Sequence, residues 1–235
     1  MVMIVIGSRP IAVRAGVTIS LFLAILCSQA EPPNELALRL APESFSPGWY
    51  ALSISGQSTT NFLLETSSDL KAWEIQYQSF GWPGTNAVQR IGPSVEGRSR
   101  QFVRARPGES LDALEQRWLE NEPTEYTFRL QSEPCLCPGS FHGTVRVRNG
   151  SVVEVTDAMD DFTGEPIPRP DLSTFLTITQ LFEEIRREVQ GGSEQVQVTY
   201  DPSGLFPARV FIDRTLRAAD DESAIDATHF AVVEP

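Results

Sequence analysis

The sequence predicts an α+β protein: a small all-β module at the N-terminal side, then an antiparallel sheet with two helices packed on one face. Three observations predict it. Period-two alternation runs up to Arg106, two later stretches carry apolar residues at helical spacing between cap signals, and Asn149-Gly150 separates two alternating runs.

Residues 1–30 read as an export leader. Arg9 and Arg14 supply the positive start, Ala15 to Cys27 form an apolar run, and Ser28 and Ala30 occupy small-residue positions before a cut that would leave Glu31 first. The apolar run has 13 residues, short of the roughly 20 that a spanning helix needs. No integral membrane span is expected in the mature chain. Acylation at Cys27 is disfavoured because Leu26 stands where a lipoprotein signal has a small residue. The expected location is therefore periplasmic or extracellular.

Residues 31–106 are expected to form the β-rich module. "GWYALSIS" alternates Tyr50, Leu52 and Ile54, "NFLLET" is a short apolar run, and "AWEIQYQ" alternates Trp73, Ile75 and Tyr77, with turn-rich "SGQSTT" and "GWPGTN" between. Arg106, Pro107 and Gly108 mark the division from an α+β domain over 109–235. There Ser110 caps a helix through "LDALEQRWLE" with Leu111, Leu114 and Trp118 on one face, and Pro123 stops it. Three strands follow. "EYTFRLQ" aligns Tyr126, Phe128 and Leu130, "GTVRVR" aligns Val145 and Val147, and "SVVEVTD" aligns Val153 and Val155. The last two are joined by Asn149 and Gly150, a pair that readily takes the positive φ angles of a tight turn.

After an acidic, Pro-rich loop comes the clearest helix. Thr177 and Gln180 make a capping box, Ile178, Leu181, Phe182, Ile185 and Val189 form the apolar stripe, and Gly191-Gly192 ends it. "EQVQVTY" and "ARVFIDR" then read as strands joined by "DPSGLFP", and "HFAVV" is expected to add an edge strand.

Charge excludes some functions. The chain has 19 Lys and Arg against 31 Asp and Glu, a net −12, and loss of the leader would take it to −14. Such a chain repels polyphosphate, so nucleic acid is not an expected partner. Gly-rich phosphate loops, G-x-S-x-G and H-E-x-x-H are absent from the sequence, which has two histidines in all. An enzyme is the less favoured reading, and no cofactor is expected.

The residues that could carry chemistry centre on "EPCLCPGSFHG". Removing the leader leaves two cysteines, Cys135 and Cys137, and an even pair outside the cytosol points first to a disulfide. Their spacing forces the chain to turn if they are joined, and a strained small ring is easier to reduce, so a redox role stays open. His142 turns the motif into Cys-x-Cys-x4-His, a soft metal set lacking a fourth ligand for structural zinc. A cysteine nucleophile and pairing between chains are further alternatives. Asp157, Asp160, Asp161, Glu165 and Asp171 crowd one loop, and Asp220, Asp221 and Glu222 another. Hard oxygens in such loops suit calcium, although the spacing is not that of an EF-hand, and acid-rich loops are commonly just solvated.

Two resemblances add to this. "NFLLETSSDLKAWEIQ" with "RQFVRAR" resembles a small β-module of secreted bacterial proteins, which implies that Trp73 and Phe102 are core residues. From about Ser110 onward, "YTFRL", "CLCP", "VRVRNGSVVEV", "TITQLFEEI", "VQVTYDPSGLFPARVFID" and "DDES" are together similar to domain-of-unknown-function family 6174, found in exported bacterial proteins. That likeness implies an exported domain with the Cys-x-Cys pair in its pattern, and no activity.

The expected function is an exported, non-catalytic binding protein with an envelope or extracellular protein partner. The alternative is a thiol redox or metal-handling domain centred on Cys135, Cys137 and His142. A hydrolase using Asp213 or Asp221 is a third reading.

Overall fold

The computed structural model describes residues 2–7, 37–42, 50–55, 61–80, 87–91, 100–134, 139–215, 218 and 221–234. The chain divides into two compact units: Met1–Ser58 with Glu65–Glu74 and Gly84–Arg106, and Thr59–Leu64 with Ile75–Pro83 and Pro107–Pro235.

In the first unit, β1 (Val2–Gly7) pairs antiparallel with β7 (Arg100–Pro107), and β3 (Tyr50–Ser55) lies between β2 (Ala37–Pro42) and β6 (Ala87–Ile91). The leader's apolar run, Ala15 to Cys27, lies outside the described residues. The strand β4 (Phe62–Ser67) contributes Glu65 here, buried and held by Arg104 Nε at 2.6 Å and Arg106 Nε at 3.1 Å. Burial raises the Glu65 pKa, but these two guanidinium groups outweigh it and the net shift is downward. Arg104 also lies 4.0 Å from the centre of the Trp73 ring, so Trp73 packs beneath a cation, while Phe102 is buried as expected.

The second unit is an antiparallel sheet with two helices, broadly α+β as predicted. Its strands run in the order β5 (Glu74–Phe80), β12 (Gln195–Tyr200), β13 (Pro207–Asp213), β14 (Glu222–Val232), β8 (Glu125–Pro134), β9 (Phe141–Arg148), β10 (Ser151–Asp160) and β11 (Glu165–Pro166). Before β8, α1 (Leu111–Asn121) starts where the Ser110 hydroxyl accepts from the Ala113 N–H, and between β11 and β12, α2 (Ile178–Gly191) follows a 3-10 turn. The Thr177–Gln180 capping box is formed in both directions, and Gly192 closes α2 at φ 84°, a left-handed conformation that costs glycine little.

Alternation decides which side of the sheet the helices cover. Tyr126, Phe128 and Leu130 of β8, Val145 and Val147 of β9, Val196 and Val198 of β12, and Val210 and Ile212 of β13 join Leu114, Trp118, Leu181, Phe182 and Ile185 in one core. At one end of the sheet Trp118 meets Tyr126, Phe206 and Phe230 edge-on, with ring centres 5.6 to 6.0 Å apart. Near the other end Phe141 and Phe175 stack edge-on at 4.9 Å. Beside that pair Gly143 has no room for a side chain, since a Cβ would come within 2.9 Å of both Phe175 and Val155.

Three readings of the sequence change. The "HFAVV" stretch is the end of β14, whose first part, Glu222 to Asp226, pairs with β13 and which pairs with β8 along its length, so it adds no separate edge strand. Val153 is 42 % exposed because β10 bulges there, and the inward positions shift to Val152 and Val155. Ile75 points outward at 49 % exposure, so the alternation drawn through Trp73, Ile75 and Tyr77 holds only at Tyr77. A second bulge in β10 falls at Asp157 (φ 52°), and one in β14 at His229 (φ 55°).

Candidate functional site

The register brings most of the sequence-predicted site residues to one end of the second unit's sheet. There β8 ends at Pro134 beside Ser223, β13 ends at Asp213 beside Glu222, β12 starts at Gln195, and β9 starts at Phe141 opposite Asp160. Cys135 and Cys137 themselves, like Asp220, lie outside the described residues.

Two hairpin tips are tied together here. The His142 Nδ1 sits 2.5 Å from Asp161 Oδ1, and the Asp161 N–H donates to the Ser140 carbonyl at 2.9 Å. Asp160 has a different task. Its carboxylate accepts from the Phe162 and Thr163 N–H groups, both at 2.9 Å, and its carbonyl accepts from Gly164, which fixes the turn. Asp157 occupies the bulge and Asp171 caps the 3-10 turn, accepting from Ser173. So the structure joins His142 to Asp161 and leaves Asp157 and Asp160 in separate local roles. Among the described residues no group of three or more His, Cys, Asp or Glu side chains is arranged to hold a metal ion.

The acidic residues of β13 and β14 are less comfortable. Asp213 is 8 % exposed and accepts from the Thr215 N–H at 3.1 Å. Its pKa is raised, first by burial and then by the charges of Asp221 and Glu222. One Asp221 carboxylate oxygen is buried without a hydrogen-bond partner. Nearby, Glu188 at the end of α2 accepts from Ser193 Oγ at 2.6 Å and Arg214 Nη2 at 2.7 Å; burial raises its pKa, and these donors reverse the shift.

The opposite end is compensated. Glu125 accepts from Arg148 Nε at 2.8 Å and Arg146 Nε at 2.6 Å, and hydrogen bonds from Arg148, then Arg146, hold its carboxyl down at about 2. Between the two ends, the face away from the helices presents Arg129 and Gln131 of β8, Thr144 of β9, Gln197 and Thr199 of β12, and Arg209 of β13. Antiparallel sheets tolerate one wetted face, and this one is mostly polar, with Phe211 of β13 and Ala224 of β14 as an apolar spot opposite Gln197. The sequence offered only half of this signal: "YTFRLQ" puts Arg129 out of the core, but which residues flank it depends on the pairing of β8 with β9 and β14.

An antiparallel sheet with two helices packed on one face defines an α+β domain. Residues 110–232 match the Family of unknown function (DUF6174), over half the chain, and the chain belongs to that family. No curated protein and no solved structure matches it. Among the described residues no helix is long and apolar enough to cross a membrane.

Proposed function

We propose that the chain is an exported, non-catalytic binding protein whose second unit engages an envelope or extracellular protein through the face of the sheet that the helices leave uncovered. One observation carries this reading: that face presents Arg129, Gln131, Thr144, Gln197, Thr199 and Arg209 at alternate positions, with the partly exposed Phe211 among them, while the main core lies on the helix side. A photo-crosslinking residue at Gln131 is expected to trap a discrete partner in the native envelope, while the same residue at Glu183, exposed on α2, traps none. Equal capture at both sites, or at neither, would overturn the proposal.

Export itself is read from the leader pattern, with cleavage after Ala30. Cleavage would remove β1 and strip β7 of that neighbour. The mass of the mature chain tests this directly: a chain that keeps residues 1–30 ends the leader reading.

A second reading is favoured by the His142–Asp161 contact, which places an oriented imidazole five residues after Cys137. On this reading Cys135 and Cys137 form a redox pair, or bind a soft metal with His142. Intact mass before and after thiol alkylation, over a series of reducing potentials, separates the cases. A bridge that stays closed at strongly reducing potential removes the redox version, and metal-free purified protein removes the other.

A further inference from the structure

Arg129 stands in the middle of β8, flanked by β14 and β9, and its neighbours Phe128 and Leu130 are buried in the core, which places it on the uncovered face. Its register partners are Thr144 on β9 and Thr228 on β14. Every acid nearby on that face is already engaged. Asp226 receives Arg209 Nη1 on both oxygens at 2.9 and 2.8 Å, Glu133 receives the Gln131 amide at 2.8 Å, and Glu125 and Glu154 receive Arg146. Among the arginines whose side chains are described, only Arg129 and Arg169 lack an acidic partner.

That vacancy is unusual in a chain with 31 acids for 19 bases. A half-buried guanidinium is a rigid fork of donors that matches a carboxylate in two parallel hydrogen bonds. The Thr144 and Thr228 hydroxyls add neutral donors on either side; Thr228 Oγ1 lies 3.0 Å from His229 Nδ1 and can donate there or to an incoming oxygen. One cation with two hydroxyls balances one negative charge. A doubly charged phosphate would be left undercompensated and would meet the repulsion of the surrounding acids.

We infer that Arg129, with Thr144 and Thr228, is the receptor for a single carboxylate presented by the docked protein partner, from an Asp or Glu side chain or a chain terminus. The inference rests on the binding reading above and supplies its recognition chemistry. The test is a titration of the purified protein with sodium acetate against sodium chloride at matched ionic strength, followed by NMR at the arginine Nε–H groups and backbone amides. A saturating shift is expected at Arg129, Thr144 and Thr228, several-fold larger than at Arg169, which is exposed and serves as the internal control. Arg129→Gln should abolish it and leave the remaining spectrum intact. Equal, unsaturating shifts at Arg129 and Arg169 would overturn the carboxylate site, as would tighter saturation by sulfate than by acetate. Crosslinking at Gln131 that persists without acetate saturation sinks this inference and spares the binding reading; saturation without crosslinking sinks the binding reading and leaves a carboxylate site with no docked protein.

Discussion

Glu125 and Asp213 close opposite ends of the same sheet, and their surroundings push them in opposite directions. Glu125 is gripped by two arginines from β9, which lock the start of β8 to its neighbour and hold the carboxyl far below its ordinary value. Asp213 is buried next to Asp221 and Glu222, and its pKa rises. One end has its carboxylate paired and packs over an aromatic cluster, while the other retains repulsion around Asp213; each keeps one buried oxygen without a hydrogen-bond partner, the Tyr200 hydroxyl at the first and an Asp221 carboxylate oxygen at the second. Local violations of good packing and pairing are where functional constraint is expected to show. The repulsion around Asp213 lies at the same end of the sheet as His142.

The largest expected effect comes from the satisfied end. Trp118→Ala should cost about 3–5 kcal/mol in chemical denaturation, because the indole fills the space between Tyr126, Phe206 and Phe230. A loss below about 1 kcal/mol would mean that this end is not the anchor of the fold. Next, Gly143→Ala should cost about 1–3 kcal/mol by overpacking, since Phe175 is itself buried and cannot swing away. A neutral result would show that the site end has slack the satisfied end lacks.

The two carboxyls give smaller effects of opposite sign. Since the Glu125 pKa is lowered by folding, its contribution is present above its ordinary 4.5 and lost as pH falls through about 2. Glu125→Gln should therefore lower the denaturation midpoint at pH 7 and flatten its fall across that acid window. Asp213 is raised, so its favourable contribution exists below its ordinary 3.8 and is lost as pH rises through the higher folded value. Asp213→Asn keeps an acceptor for the Thr215 N–H and should raise the midpoint at neutral pH, with the gain vanishing in acid. If both variants moved stability the same way at pH 7, the contrast between the ends would be broken.

Much of the second unit was readable from local chemistry. Ser110, the Thr177–Gln180 box, Gly192 and the Asn149-Gly150 turn each act through bonds within a few residues, and each does what its sequence signal says. β14 was underread because Ala224, Ala227 and Ala231 mute its apolar alternation and His229 interrupts it with a bulge. Val153 misled for the same reason, as a bulge transfers a valine outward without changing composition. The site was legible only as fragments. His142 and Asp161 are 19 positions apart, and Arg129 and Thr228 farther still; only strand register brings them together.

The bulges of β10 bear on self-association. Beyond Asp160 and Met159, which pair with β11, this strand has no neighbour on its outer side among the described residues, so Ser151 to Asp157 offers bare amide and carbonyl groups to any passing strand. A straight strand of that kind is a template for polymerisation. With kinks at Val153 and Asp157 spaced four residues apart, the rim presents no long straight run to copy, and growth of fibres from this border is expected to be disfavoured.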